Sequence, residues 1–334
     1  MRVAVLSAGS WGTAFATVLA DAGSEVVLYG RRGAIVDAIN ARHENPDYLA
    51  GLTLPESLRA TTDVGQALAG AECLVVSIPA QSLRTNLAQW APLIGPRTVV
   101  VSLMKGIETD TGLRMSEVIT QVTGIASERV AVVSGPNLAR EVAARRPAAS
   151  VIACRDETVA EALQDACATP YFRPYTNTDV VGCELGGAVK NVIALAIGLA
   201  AGMGLGDNAR ALLMTRGLAE TARLGVVLGA EPLTFAGLAG VGDLIATCAS
   251  PLSRNRTFGE HLGRGMTVAE ATAATSQTAE GVKSSRSILE LARRYGVEMP
   301  ITEVVVAVLN GTATLAEAAD MLMARAPKRE RYGT

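Results

Sequence analysis

Of the 30 basic residues only four are lysines: Lys105, Lys190, Lys283 and Lys328. The chain uses arginine wherever a surface cation will do, so a lysine among apolar or glycine-rich neighbours draws attention. Lys190 stands in ELGGAVKN (184–191), at the head of a long apolar stretch. Burial disfavours an ammonium and lowers a lysine pKa from about 10.4 toward neutrality, which lets it exchange a proton near pH 7. A side chain that snorkels to water or pairs with Glu184 is the alternative. Lys105, in SLMKG (102–106), closes a β-branched run, where an ammonium would meet an anionic or carbonyl substrate. Asp243, in GVGDLIATC (240–248), lies in a glycine-rich turn before a helix. It could hold an ammonium by charge pairing or simply cap the helix. SRNR (253–256) offers an arginine fork with neutral Ser and Asn donors, suited to a phosphate, although a solvated basic loop has the same composition. SGPNLARE (134–141) is a strand, a Gly-Pro turn and a helix start, whose backbone N–H groups could line a polar ligand or form a plain turn.

At the N-terminus a strand runs into SAGSWGTA (7–14). Read as the GxGxxG fingerprint, Ser7 takes the first glycine position. Gly9 lets the backbone approach a pyrophosphate, and Gly12 lets the helix pack on the sheet. Phosphates then sit at the helix N-terminus, where unpaired N–H groups and the dipole favour an anion. The next strand ends in Gly30-Arg31-Arg32. No carboxylate stands there for a ribose 2′-OH, and two guanidiniums could receive a 2′-phosphate. NADP(H) is therefore the expected cofactor, with NAD(H) the second option; a solvent-facing Arg pair is the bland reading.

The elements that must position these residues alternate through the first half. Arg2–Ser7, Glu25–Gly30, Cys73–Pro79, Thr98–Leu103 and Val130–Ser134 read as buried strands, with Ala149–Cys154 and Tyr171–Tyr175 extending the sheet. Helical periods lie between them, as in Trp11–Ala22 and Ser82–Leu93. Continuous apolar strands alternating with helices predict a mostly parallel sheet covered on both faces. After about Thr178 helices follow one another: 180–201, 208–228, 241–249, 257–263, 268–274, 281–295, 301–310 and 315–325. The expectation is an α/β Rossmann-type domain over 1–178 and an all-α domain over 179–334, with a loose tail from Pro327.

Composition removes several classes. The chain has 334 residues and 30 basic against 32 acidic side chains, a net charge of −2. No basic face for nucleic acid or a membrane surface is expected, and 49% hydrophobic residues exclude disorder. Cys73, Cys154, Cys167, Cys183 and Cys248 show no CxxC spacing, and His43 and His261 are the only histidines. No metal site is expected, and scattered thiols suit a reducing cytoplasm. No targeting segment is visible. The uncharged stretch Asn191–Gly206 is shorter than the roughly 20 residues a bilayer needs, so no stable membrane insertion is expected.

Taken in order, AGSWGTA, LMKGIE, SGPNLAREVA, ELGGAVKN, GVGDLIATC, SRNR and TAEGV resemble the bacterial-type NAD(P)-dependent glycerol-3-phosphate dehydrogenases, from Val3 to about Arg325. The resemblance implies reduction of dihydroxyacetone phosphate to sn-glycerol 3-phosphate for phospholipid synthesis in the cytoplasm, at a cleft between two domains. It implies Lys190 as proton donor and acceptor, and Lys105 touching cofactor and substrate. Asp243, Thr247, Ser253, Arg254 and Asn255 would hold substrate, joined by Gly135 and Asn137. Ser10, Trp11, Arg31, Arg32, Ala139, Arg254, Thr278 and Glu280 would contact the cofactor. Ser7 stands where the family has glycine, Asn137 where Ser or Thr is common, and Thr278 where an aliphatic residue is usual. A homodimer is compatible with the sequence. A β-hydroxyacid dehydrogenase or ketopantoate reductase would not need the phosphate grip. A non-catalytic nucleotide sensor would not need Lys190 with Asp243.

Overall fold

The computed structural model describes residues 1–275 and 279–323. Its strands are β1 (Arg2–Leu6), β2 (Glu25–Tyr29), β3 (Arg59–Thr61), β4 (Cys73–Val76), β5 (Val99–Ser102), β6 (Val130–Ser134), β7 (Ala148–Ala153) and β8 (Phe172–Asn177). They form one sheet in the order β3-β2-β1-β4-β5-β6-β7-β8. Neighbours are parallel throughout except for the antiparallel pair β6–β7. The first six strands therefore follow the doubly wound order, and the chain reverses direction across the sheet between β1 and β4, where such folds open a ligand crevice.

The helices of this half are α1 (Ser10–Asp21), α2 (Gly33–Arg42), α3 (Val64–Leu68), α4 (Leu83–Trp90), α5 (Met115–Thr123), α6 (Ala139–Ala143) and α7 (Glu157–Cys167). The sheet is apolar on both sides because both are covered. Val3 and Val5 enter one core with Phe15 and Leu19, while Ala4 and Leu6 enter another with Leu83, Leu87 and Trp90. This is the expected mostly parallel sheet. β3 has no counterpart among the expected strands, and its three residues bury only Ala60.

The second half holds α8 (Val180–Gly202), α9 (Asp207–Val227), α10 (Asp243–Ala249), α11 (Arg254–Gly263), α12 (Val268–Ala274), α13 (Glu280–Arg294), α14 (Pro300–Leu309) and α15 (Leu315–Met323). At 23 residues α8 is long and apolar enough to cross a membrane, but 94% of its most apolar window is buried inside the protein. It is the axis of the helical half. Glycines let α11 lie directly on it: a Cβ at Gly198 would overlap the Arg256 carbonyl, and one at Gly259 would overlap that of Leu195. Backbone-to-backbone packing of this kind fixes the distance between Lys190 on α8 and the start of α11. α11 begins three residues earlier than the apolar period indicated, because Ser253 caps it by accepting the Arg256 N–H at 3.3 Å.

Candidate active site

α8 and α10 carry a buried ionic centre that reaches into the sheet domain. Lys190 Nζ donates to Asp243 Oδ1 at 2.5 Å and to Thr247 Oγ1 at 2.6 Å. Asp243 and Thr247 lie one turn apart on α10, so both face the same ammonium. The other oxygen of Asp243, Oδ2, accepts from Lys105 Nζ, which follows β5 and also donates to the Gly135 carbonyl at 3.1 Å. The Asp243 side chain is 1% exposed, that of Lys190 10% and that of Lys105 13%. Two ammoniums therefore share one carboxylate away from water, and the cluster retains a net positive charge. A chain that invests in such a site draws in an anion, or stabilises one that forms there. Burial pushes Lys105 from 10.5 down to about 8; Asp243 pulls it up and Lys190 pushes it further down.

Asp243 thus pairs with ammoniums and does not cap α10, whose first turn follows a single π-type turn at Leu238–Gly242. Lys190 does not pair with Glu184. Glu184 instead accepts from Arg114 Nη1 at 2.6 Å, from the Ser116 N–H at 2.8 Å and from the Ser116 hydroxyl at 2.6 Å. Desolvation raises its carboxyl, and Arg114 and Ser116 hold it back. This buried tie clamps α8 to α5 and had no sequence signal beyond an acid in an apolar helix.

Gly135 sits at φ +141, close against Ser150, in a conformation that a side chain would strain. Asn137 Nδ2 donates to Ser150 Oγ at 3.0 Å, while its buried Oδ1 has no partner. Across the site, Asn255 is buried and ordered: Nδ2 donates to Asn191 Oδ1 at 3.0 Å, and Oδ1 accepts the Gly281 N–H at 2.9 Å. That bond joins the start of α11 to the start of α13, where Glu280 lies. Burial raises the Glu280 carboxyl, with Arg254, Lys190 and Lys105 acting in the opposite direction. Arg254 is exposed in the first turn of α11, in a helix and not a basic loop. Thr278 lies outside the described residues.

The glycine-rich turn has the shape its fingerprint requires. Ser7 adopts φ +136, the conformation that favours glycine, and so occupies the first glycine position in geometry as well as in sequence. A Cβ at Gly12 would overlap the Ser7 carbonyl. α1 starts at Ser10 behind Gly9 with no side-chain cap, leaving its N-terminal dipole to a ligand. Trp11 packs on Phe15 with ring centroids 5.6 Å apart and keeps a buried, unpartnered Nε1. Ala139 joins the same small apolar cluster as Trp11. These groups fit a dinucleotide pyrophosphate and its flanking sugars.

Arg31 and Arg32 are both exposed at the end of β2. The reading that no carboxylate serves this end needs correction. Asp47, from the segment after α2, accepts from Arg32 Nη1 at 2.6 Å, and the Arg32 guanidinium carbon lies 5.3 Å from the centre of the Tyr48 ring. Asn45, also unanticipated, is fully buried and donates to the Ala8 carbonyl and to Thr13 Oγ1, each at 2.9 Å. The signal available was an Asn-Pro-Asp-Tyr turn just beyond α2.

A nucleotide cradle at the carboxyl edge of a doubly wound sheet, with a lysine–aspartate–lysine centre shared between sheet and helices, defines a two-domain nicotinamide-nucleotide dehydrogenase. Residues 2–160 match the family model for the N-terminus of NAD-dependent glycerol-3-phosphate dehydrogenase, and residues 179–320 match that for its C-terminus. The glycerol-3-phosphate dehydrogenase [NAD(P)+] of Streptomyces coelicolor is 65% identical over 331 residues, 99% of this chain and 98% of its own. That of Thermobifida fusca is 67% identical over 333 residues, 99% of each chain. The crystal structure of glycerol-3-phosphate dehydrogenase from Coxiella burnetii superposes with a TM-score of 0.92 at 38% identity, covering 97% of this chain and 98% of that one. The chain belongs to the NAD(P)-dependent glycerol-3-phosphate dehydrogenases, and it is an oxidoreductase of that family. This membership decides against the neighbouring dehydrogenases and the non-catalytic sensor.

Proposed function

We propose that the chain reduces dihydroxyacetone phosphate to sn-glycerol 3-phosphate, reversibly, as a cytoplasmic supplier of the glycerophospholipid backbone. The observation that carries the reading is Asp243 bridging the ammoniums of Lys190 and Lys105 in a buried cluster that retains positive charge. When bound, the reduced nicotinamide supplies the hydride to the ketone carbon. Lys190 gives the proton to the oxygen on which charge builds, and Thr247 and Asp243 fix its Nζ. Lys105 adds positive potential at the same place. Arg254 grips the substrate phosphate with Ser253 and Asn255, whose hydroxyl hydrogen and second Nδ2 hydrogen, respectively, are suited to donate to it. Binding energy from that remote group orients the carbonyl. Gly135 and the unpartnered Oδ1 of Asn137 complete the substrate side.

Ser10, Trp11 and Gly12 receive the pyrophosphate end of the nucleotide, with Ala139 and Glu280 lining its path. Arg31 and Arg32 favour the 2′-phosphate of NADP(H) over NAD(H). Incubation with dihydroxyacetone phosphate and NADPH, followed at the reduced-nicotinamide absorbance band, tests the reaction. Oxidation of NADPH that requires the phosphorylated ketone is expected. Equal rates with unphosphorylated dihydroxyacetone would overturn the phosphate grip.

A further inference from the structure

Arg32 already has a counter-ion. Its contact with Asp47 is a short one between two half-exposed side chains, 54% and 48% accessible. The segment bearing Asp47 is nevertheless fixed to the nucleotide loop. Asn45, two residues earlier, is bonded to the Ala8 carbonyl, and Ala8 lies against Gly30, where an added Cβ would come within 3.1 Å of it. Ala8 thus ties together the fingerprint turn, the end of β2 and the Asp47 segment. Arg31, next to Arg32, makes no ion pair with any described residue.

We propose that Asp47 is a specificity-determining residue that sets the balance between the two nicotinamide nucleotides. Its carboxylate neutralises Arg32 when the ribose carries a 2′-hydroxyl, and a 2′-phosphate must displace it. This rests on the reading that Arg31 and Arg32 meet the adenosine ribose. An NADH molecule leaves the Arg32–Asp47 pair intact and finds no uncompensated cation. An NADPH molecule takes over Arg32 but brings its phosphate next to the displaced carboxylate, and the like charges offset part of the arginine–phosphate attraction. Both side chains are half-exposed, so the opposition is moderate and screened by salt. Without Asp47 the arginine pair would select NADPH more strongly; with it the site accepts either nucleotide.

Asp47→Asn keeps the shape and a hydrogen-bond acceptor but removes the charge. Dissociation constants for NADPH and NADH come from fluorescence titration, with adenosine 2′,5′-bisphosphate and 5′-AMP as nicotinamide-free competitors. The proteins compared are the parent, Asp47→Asn, Arg32→Gln and the double variant. In Asp47→Asn, NADPH and the bisphosphate should tighten about three- to tenfold at low salt, and NADH and AMP should change less than about twofold. The gain should shrink at high salt, and shrink in the Arg32→Gln background, where only the direct repulsion between phosphate and carboxylate is left to relieve. Equal tightening of both nucleotides, no tightening, or a gain undiminished in Arg32→Gln would each overturn the proposal. Arg31→Ser with Arg32→Ser separates the two levels. Equal loss of NADPH and NADH there removes the underlying reading and the proposal with it. Selective loss of NADPH with a silent Asp47→Asn removes the proposal alone.

Discussion

Replacing Lys105 by Met should make the protein more stable at neutral pH while disabling it. Lys105 lies at the edge of the sheet domain with its side chain 13% exposed, and burial lowers its ammonium from 10.5 to about 8. At about 1.4 kcal/mol per tenfold change in proton affinity, the charged form is about 3 kcal/mol less favourable folded than unfolded. The attraction of Asp243 is already contained in that figure. Below pH 8 both states hold the proton and the folded protein carries the whole cost. Between 8 and 10.5 the folded state has released its proton while the unfolded chain still binds one, so stability rises with pH across this window. Methionine has similar length and no charge to bury. Allowing about 1 kcal/mol for the lost bond to the Gly135 carbonyl, Lys105→Met should gain about 2 kcal/mol at pH 7 and almost nothing at pH 9.5.

Calorimetry or urea unfolding of parent and variant without nucleotide, at both pH values, reads this directly. Turnover should fall by about 100-fold or more, because the cation proposed to meet the developing negative charge is gone. A variant less stable than the parent at pH 7 would refute the reasoning. So would a stability gap that does not close as pH rises: the ammonium would then be stabilised in its site, and the cluster would serve the fold.

Three further outcomes follow from the same geometry. Lys190→Met should fold, bind NADPH in fluorescence titration and lose about 10²–10⁴-fold or more in turnover, and Lys190→Arg should fail as well because a guanidinium releases its proton too reluctantly; near-parent turnover in Lys190→Arg would leave Lys190 a fixed charge. Arg254→Ala should raise KM and lower kcat for dihydroxyacetone phosphate and cost far less with unphosphorylated dihydroxyacetone, a difference that steady-state kinetics on both substrates reveals. Gly259→Ala places a Cβ against the Leu195 carbonyl, so it should lower unfolding stability by about 3 kcal/mol or more and reduce phosphate-dependent activity by shifting the start of α11.

The parts of the site that sequence reveals are those built by local chain geometry. The turn at Ser7–Gly12 was readable because strand, glycines and helix are consecutive, and even the Ser7 departure kept its place: the backbone there takes φ +136 with a serine in it. Ser253 as a cap was available too, since Ser-x-x-Arg at a helix start places a hydroxyl on the third N–H, yet the apolar period alone starts α11 at Thr257. β3 was hidden because three residues with a single buried alanine give no alternation to detect. Asp47 was hidden for a different reason. A rule that seeks an acid at the end of the second strand looks along the chain, and here the acid arrives 15 residues later from the segment after α2.

Helical arithmetic alone decides where Glu184 finds its partner. At 100° per residue, positions six apart on a helix differ by about 240°, so Glu184 and Lys190 point to different sides of α8 and cannot pair. A buried acid on the far side must find its cation elsewhere, and Arg114 at the head of α5 supplies it. The same arithmetic places Gly187, three residues before Lys190, nearly on the lysine's own side, and a Cβ there would come within 3.3 Å of the Lys105 stem. One face of α8 therefore holds the Lys190 ammonium against Lys105 of the sheet domain, while another holds the carboxylate that clamps the helix to α5. The two ion pairs are parts of one device: Glu184 fixes where α8 meets the sheet domain, and that contact brings Lys190, Asp243 and Lys105 within hydrogen-bond reach.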